Sequence, residues 1–167
     1  MSVSGKITLR LDVTQTGGAD LTTPTELLPT IDFDVADGTG ADQMDMLWHD
    51  QRTLAASTSE DLDLAGSLVD AFGTTMTFAE VRLLIVMASS ANTNDVLVGG
   101  ASANQFINWV SDASDVVVVK PDGMLFLYNP SDGAYAVTAG TGDLLQIENS
   151  GAGTSVTYDI YIGGVSA

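Results

Sequence analysis

The chain contains no cysteine, a single histidine and no apolar run long enough to cross a membrane as a helix. Without cysteine it forms no disulfide, has no thiolate nucleophile and binds no zinc or iron–sulfur cluster through sulfur; this composition also fits synthesis in a reducing cytoplasm. A spanning helix needs about 18 apolar residues, whereas the longest apolar segments, 81–88 and 116–119, have the length of strands. Residues 1–6 are polar, so we expect neither a signal peptide nor a membrane partner.

Basic residues are also scarce. Five Lys and Arg stand against 22 Asp and Glu, which gives a formal net charge of −17. Eighteen of the acids are Asp and four are Glu. Because Asp is a poor helix former that favours caps and turns, this bias predicts a loop-rich all-β fold. A surface this negative repels phosphate backbones, so we expect no nucleic-acid partner; its simplest role is to keep the protein soluble.

The apolar residues follow the two-residue period of half-buried strands. Ile7, Leu9, Leu11 and Val13 share one face, for example, and a length of 167 residues fits one domain, 1–167. We expect about nine to eleven short strands, spaced as in sandwiches and barrels. They include 6–13, 43–53, 81–88, 105–110 and 155–162, with 81–88 buried on both faces.

No long helix alternates with these strands, and no repeat of constant period is present. The pattern therefore predicts an antiparallel two-sheet sandwich, jelly-roll-like, with at most short helical turns such as 79–80. Segment 66–73 stays open between a short helix and a loop. Residues 1–30, with Pro24 and Pro29, are either a first strand followed by a loop or an arm that reaches a neighbouring molecule.

Clustered aspartates raise the question of a calcium site, because hard cations prefer oxygen ligands. The candidate ligands are Asp32, Asp34, Asp37 and Asp42. Their spacing is not that of an EF-hand, no Glu closes the loop, and the first two share the solvent face of one strand. The sequence therefore predicts no metal site and no cofactor, with these four residues as the nearest candidates.

Catalytic signatures are missing as well. His49 has an acidic neighbour in Asp50, but consecutive strand residues point to opposite faces and do not pair readily. No Gly-x-Ser-x-Gly elbow or phosphate-binding loop is present. We therefore expect no catalytic residue and no enzyme. Carbohydrate binding stays open, although aromatic residues on alternating strands are more typical of a core. The aromatic candidates for it are Trp48, Trp109, Tyr128 and Tyr135.

Several segments, spread over about the last two-thirds of the chain, are more specific than their chemistry. These segments are 48–56 (WHDQRTLAA), 59–68 (SEDLDLAGSL), 70–73 (DAFG), 77–78 (TF), 135–140 (YAVTAG) and 156–160 (VTYDI). Together they resemble a group of small virion proteins of tailed phages that are encoded among head genes, the capsid decoration or cement proteins. Taken physically, 62–68 is a strand ending in a Gly bend, Leu68 and Phe72 are anchors in the core, and 70–73 is a turn that closes one end of the sandwich.

The resemblance implies a jelly-roll-like subunit, made in the host cytoplasm, that binds the outside of an icosahedral capsid. Its implied partners are the major capsid protein, whose neighbouring subunits it clamps, and two further copies of itself in a cyclic homotrimer with edge-strand and apolar loop contacts. The negative charge agrees with the outer surface, because the interior faces packaged DNA. The main alternative is a tail- or fibre-associated adhesin that binds host glycans. A secreted lectin or hydrolase-associated module is disfavoured, since no signal peptide is expected.

Overall fold

The computed structural model describes residues 2–15, 25–27 and 29–166. The strands are β1 (Gly5–Arg10), β2 (Val13–Gln15), β3 (Thr25–Leu27), β4 (Thr30–Val35), β5 (Met46–Leu54), β6 (Ser59–Asp63), β7 (Phe78–Ala88), β8 (Val96–Gly99), β9 (Val116–Val119), β10 (Met124–Tyr128), β11 (Tyr135–Ala136), β12 (Leu144–Asn149) and β13 (Val156–Ser166). The described residues contain no helix, and hence none long and apolar enough to cross a bilayer. The all-β prediction is confirmed.

Two antiparallel sheets, one of five strands and one of four, form the body of the protein. Sheet I has the order β10-β7-β13-β5, with short β11 also paired to β7, and sheet II has the order β6-β12-β8-β9. The pairs β8–β9, β7–β10, β6–β12 and β5–β13 together make one long folded ribbon. Rolling that ribbon brings β13 beside β7 and β12 beside β8. This is the strand order of a jelly roll, as the sequence predicts.

The core lies between the two sheets and follows the alternation in the sequence. In β13, Val156, Tyr158, Ile160 and Ile162 are fully buried, while the residues between them are partly exposed. On strand β7 the inner face is buried, and so is Leu83 on the outer face, whereas Ile85 and Met87 are half-buried there, so the predicted burial of 81–88 on both faces holds only in part. A second, smaller hydrophobic cluster covers that outer face, so sheet I packs on both sides over part of its area.

The N-terminal segment forms a hairpin that belongs to neither sheet. Strands β1 and β4, and further along β2 and β3, pair as two short ladders in the same register, from Gly5 opposite Val35 to Arg10 opposite Thr30 and from Val13 opposite Leu27 to Gln15 opposite Thr25. Ten residue steps of about 3.4 Å separate Gly5 from Gln15, so the two ladders together extend over about 34 Å. Of the two predictions for residues 1–30, the strand is present, and it forms part of a hairpin. The rest of the predicted loop, 16–24 and 28, lies outside the described residues.

Two local predictions differ from the structure, and one that was left open is decided. Residues 79–80 do not form a helical turn, because they extend β7 and pair with β11 and β13. Segment 66–73 is a loop. Segment 105–110 is also a loop rather than a strand: Phe106 is buried as an anchor, and its carbonyl accepts a hydrogen bond from the Trp109 indole at 3.0 Å. A loop that buries large apolar side chains has the amino-acid composition of a strand but lacks the backbone hydrogen bonds of a strand.

The prediction that both Leu68 and Phe72 are core anchors is half right. Leu68 is buried, with 6% of its surface exposed, whereas Phe72 is 83% exposed. Asp70 explains the difference, because its Oδ1 accepts hydrogen bonds from the amides of Phe72 and Thr74, each at 2.8 Å. This Asx-type turn is held by the aspartate, and it leaves the aromatic ring at the tip in solvent.

Candidate functional site

The hairpin formed by β1 to β4 has one apolar and one polar face. Cross-strand partners point to the same side, so Ile7, Leu9, Phe33 and Ile31 share the apolar face. Exposure rises along that face away from the sandwich. Val35 is 6% exposed and Phe33 is half-buried, whereas Ile31, one pair further along, is 51% exposed.

The same gradient is present on the other strand of the hairpin. Ile7 and Leu9 are half-buried, Leu11 is 50% exposed and Val13 is 42% exposed. The face that is apolar by sequence therefore covers the sandwich at one end and faces solvent at the other. Three large apolar side chains on this two-stranded hairpin, Leu11, Val13 and Ile31, are thus about half exposed in the described part of the chain, which marks an interaction surface.

The polar face of the hairpin neutralises its own charges. Lys6 Nζ lies 3.4 Å from carboxylate oxygens of both Asp32 and Asp34. Arg10 contacts Asp12 at 2.8 Å. Thr8 donates a hydrogen bond to Asp32 at 2.8 Å, and this bond lowers the pKa of Asp32 more than the nearby Lys6 does. These exposed pairs add little to stability, but they leave a strip of low net charge on a very acidic protein.

The sandwich end of the hairpin packs on the outer face of sheet I. Val35, Met44 and Leu83 are buried together, with half-buried Val3 and Ile7 around them. Phe33 and Tyr128 extend the contact, their ring centroids 4.7 Å apart. Burial raises the pKa of Tyr128, with a smaller contribution from the negative charge of Asp42. The hairpin is therefore fixed to the body by apolar contacts near its base.

The remainder of that outer sheet face is open and largely apolar. Met124 of β10 is 57% exposed, and its cross-strand partner Met87 is half-buried. Next to them lie Tyr161, which is opposite Ile85, and the facing pair Phe126 and Ile85, which pack partly against the smaller cluster under the hairpin base. These side chains are uncharged, and Asp159, which is opposite Met87, accepts a hydrogen bond from Gln51 at 2.9 Å. The open face therefore continues the apolar surface that the hairpin base covers.

A buried arginine organises the loop that carries two of the candidate metal ligands. Arg82 is fully buried, and its guanidinium donates to the carbonyls of Thr39, at 3.0 Å, and Gln43, at 2.7 Å, as well as to Gly40. It also pairs with Glu80 at 3.0 Å. The carbonyl oxygens of this loop thus already face a cation supplied by the chain itself.

The four candidate metal ligands do not converge on one site. Asp32 and Asp34 flank Lys6 on the exposed face of the hairpin, as the alternation predicts. Asp37 accepts a hydrogen bond from the amide of Val3 at 2.9 Å. Asp42 lies beside Tyr128. Within the described ranges, no three His, Asp or Glu residues group in a way that could hold a metal ion.

His49 and Asp50 point to opposite sides of β5, as expected. His49 stacks on Tyr161 on the outer face of sheet I, with ring centroids 5.8 Å apart. Asp50 contacts Arg52 at 2.9 Å. Arg52 also donates to Glu60 at 2.7 Å, and Tyr158 donates to the other Glu60 oxygen at 2.6 Å. Asp50, the carboxylate next to His49 in sequence, is therefore engaged in a network that links the sheets.

Clefts and aromatic side chains complete the survey. A cleft of about 340 Å³ lies between the N-terminal segment and the 70–73 turn, lined by Leu47, His49 and Phe72. Trp48 is buried and donates its indole hydrogen to the carbonyl of Val69 at 3.1 Å. The other glycan-binding candidates, Trp109, Tyr128 and Tyr135, are half-buried. All aromatic residues of the chain lie in its described part, and Phe72 is the one that is exposed.

One sequence pattern indicates the hairpin, and the predictions above did not use it. Residues 5–13 and 29–35 have matching alternation, and Lys6 and Thr8 of one strand lie opposite Asp34 and Asp32 of the other. That complementarity predicts that the two strands pair with each other rather than with the body. No comparable pattern indicates that Phe72 is exposed, because an aromatic residue in an exposed turn and one buried in the core can have the same local sequence.

Comparisons with protein families, with curated proteins and with solved structures gave no match for this chain. The resemblance to capsid decoration proteins therefore stays a prediction. A function for this jelly roll has to be argued from its surfaces and its charge.

Proposed function

We propose that this chain is a structural virion protein that binds the outer surface of a tailed-phage capsid and stabilises the capsid by clamping neighbouring major capsid subunits. In this proposal the protein is not an enzyme. It is made in the host cytoplasm, needs no cofactor, and acts as a homotrimer on the assembled particle.

The observation that carries the proposal is the hairpin that projects from the sandwich with its apolar face partly uncovered. A jelly roll gives a rigid body, and the hairpin, about 34 Å long from Gly5 to Gln15, packs on that body at its base and extends past it at its far end. Leu11, Val13 and Ile31 are exposed at the far end. Apolar side chains in that position suit binding to other protein subunits, and repetition of a modest contact over a shell gives strong total attachment.

The charge supports an outer location. A protein of net charge −17 inside a filled capsid would face the phosphate backbones of packaged DNA, which repel it. On the outside the same charge keeps decorated particles apart in solution. The basic side chains add no phosphate-binding surface, because Arg82 is buried and Lys6, Arg10, Arg52 and Lys120 are each within 4 Å of a carboxylate.

The side chains that could serve as catalytic acids or bases make structural contacts. His49 stacks on Tyr161, and Asp50 and Glu60 hold Arg52. The alternative function, a glycan-binding adhesin, requires several exposed aromatic rings close together, because sugars stack on such rings. Phe72 is the single exposed ring. This arrangement favours the capsid protein over the adhesin.

The test is the copy number of the chain in purified particles. Virions of the phage that encodes this protein are purified, separated on a denaturing gel and quantified against the major capsid protein. We expect hundreds of copies per particle, removed together with the shell rather than with the tail. An adhesin gives a handful of copies in the tail fraction, and a trace amount in all fractions would refute a structural role.

A further inference from the structure

We infer that the exposed apolar end of the hairpin, with Leu11, Val13 and Ile31, packs against the open outer face of sheet I on a second copy of this chain, around Met87, Met124 and Phe126. This inference rests on the proposed function, because self-assembly is part of that function. It specifies which two surfaces of neighbouring copies are in contact.

Both surfaces are uncovered in the single chain. About half of the Leu11 and Ile31 side chains is accessible, and Met124 is slightly more exposed. Each of these residues belongs to a row of apolar neighbours rather than standing alone, since Leu9 precedes Leu11 on the hairpin face and Met87 lies opposite Met124 on the sheet. Contiguous apolar area of this kind marks protein contacts.

The contact continues one that already exists within the chain. The same face of the hairpin, through Ile7 and Val35, covers the same face of sheet I at Leu83. Beyond Leu83 the apolar face of the hairpin is exposed at Leu11, Val13 and Ile31, and the sheet is exposed at Met124. Both surfaces are therefore apolar. Packing against a second copy buries apolar area of the hairpin and of the sheet that a single chain leaves exposed.

The hairpin also needs support for its outer half. A two-stranded hairpin is at most marginally stable alone in water, because neither face is buried. Near Gly5 and Val35 the sandwich supplies that burial, but β2 and β3 continue the ladder beyond it. Packing of the outer half against a neighbouring molecule supplies the missing burial.

Charge favours a second copy as the occupant. Two molecules of net charge −17 repel each other unless the surfaces in contact carry little net charge. The hairpin meets this condition, because Lys6 and Arg10 are matched by aspartates on the hairpin itself. On the sheet, Ile85, Met87, Met124 and Phe126 are uncharged, and Asp159, which lies opposite Met87, is hydrogen-bonded to Gln51 at 2.9 Å.

The symmetry of such a contact agrees with a ring. Hairpin and sheet are different surfaces, so the contact is head-to-tail, and a head-to-tail contact that closes gives a cyclic oligomer such as a trimer. Each copy then gives one hairpin and receives one. Every subunit is both donor and acceptor, without an unpaired surface.

The absence of cysteine allows a direct test by cross-linking between two chains. One preparation carries Leu11→Cys and the other Met124→Cys, and they are mixed at micromolar concentration with a short bis-maleimide. Only a contact between molecules can join them. The control pairs Leu11→Cys with Val118→Cys, since Val118 is a similarly exposed residue on sheet II. We expect a cross-linked dimer band at least about tenfold stronger than in the control; equal bands overturn the inference.

Sedimentation of the free protein gives a second, independent measurement. Leu11→Asn and Met124→Asn are each expected to weaken self-association at least about tenfold, because both residues lie at the contact. Thr30→Asn, on the polar face of the hairpin, leaves it unchanged. Circular dichroism checks that each variant is folded. A monomeric wild type, or apolar variants that associate as well as Thr30→Asn, refutes the contact.

The two proposals fail in distinguishable ways. Cross-linking and sedimentation use the free protein, whereas the copy number uses purified particles. A protein abundant on particles but monomeric and not cross-linked retains its capsid role without this contact. A protein that cross-links through these surfaces but is missing from particles keeps the contact and loses the capsid role.

Discussion

The hydroxyl of Tyr158 in sheet I donates a hydrogen bond to Glu60 of sheet II at 2.6 Å, and so joins the two layers of the jelly roll through the core. Tyr158 is fully buried, and Glu60 is held on its other oxygen by Arg52 at 2.7 Å. A tyrosine on an otherwise aliphatic inward face is tolerated here because its polar end reaches this carboxylate at the margin of the core.

We predict that Tyr158→Phe lowers the free energy of unfolding by about 1–2 kcal/mol, the cost of a lost hydrogen bond to a charged acceptor. The ring stays in place, so the packing is preserved. Denaturant unfolding at neutral pH measures the change. Tyr135→Phe is the control, because Tyr135 is only half-buried; an equal loss in the two variants contradicts the role of the Glu60 contact.

The same contact predicts alkaline sensitivity. Burial, and next the hydrogen bond to Glu60, raise the pKa of Tyr158 well above its ordinary value of about 10. Above about pH 10 the unfolded chain loses the phenolic proton of Tyr158 while the folded chain keeps it. Stability is therefore fully present below about pH 10 and falls as pH rises further. Unfolding curves at about pH 8 and about pH 11 should show a larger loss in the wild type than in Tyr158→Phe. An identical loss in both proteins contradicts the prediction.

The regular part of the fold was readable from the sequence because its residues alternate. Val156, Tyr158, Ile160 and Ile162 are buried at every second position, and residues 83–88 of β7 are apolar throughout because one face lies in the core and the other is covered in part by the smaller hydrophobic cluster. Alternation reports whether a side chain faces a core. It does not report which strand lies next to it, so the pairing of the first strand with β4 rather than with the sandwich was not predicted.

The interaction surface was harder to predict, for a physical reason. Leu11 and Leu9 obey the same alternation, yet one is exposed and the other half-buried, because exposure depends on how far the body extends beneath the hairpin. Phe72 was misassigned since the Asp70 side chain, and not the ring, holds the turn. Exposure of apolar residues is set by tertiary placement, which local pattern does not encode.

Replacement of the buried arginine should be costly. Arg82→Met leaves the carbonyls of Thr39 and Gln43 without their donor and Glu80 without its cation, while the shape is roughly retained. We expect a loss of about 3–5 kcal/mol in unfolding free energy, as for other broken buried pairs. Lys120→Met, at an exposed ion pair, should change it by no more than about 0.5 kcal/mol. Similar losses in both variants contradict the assigned role of Arg82.

Removal of divalent cations should leave the protein unchanged. The 37–43 loop is held by Arg82, and Asp37 accepts the amide hydrogen of Val3, so no bound ion is needed to keep the acidic groups in place. We expect the same melting temperature with and without excess chelator, measured by calorimetry. A shift of several degrees that added calcium reverses would revive a site among Asp32, Asp34, Asp37 and Asp42.

The loop after β6 offers the sharpest contrast between neighbouring apolar residues. Leu68→Ala removes a buried side chain and should lower the unfolding free energy by about 2–5 kcal/mol, the usual cost of a cavity in a core. Phe72→Ala removes a larger side chain from the tip of the Asp70 turn, where it is in solvent, and should change it by less than about 0.5 kcal/mol. Thermal and denaturant unfolding of both variants measures the difference. A destabilisation by Phe72→Ala as large as that by Leu68→Ala would mean that the ring packs into the sandwich, as the sequence pattern alone predicts. A neutral result leaves Phe72 free to contact a partner.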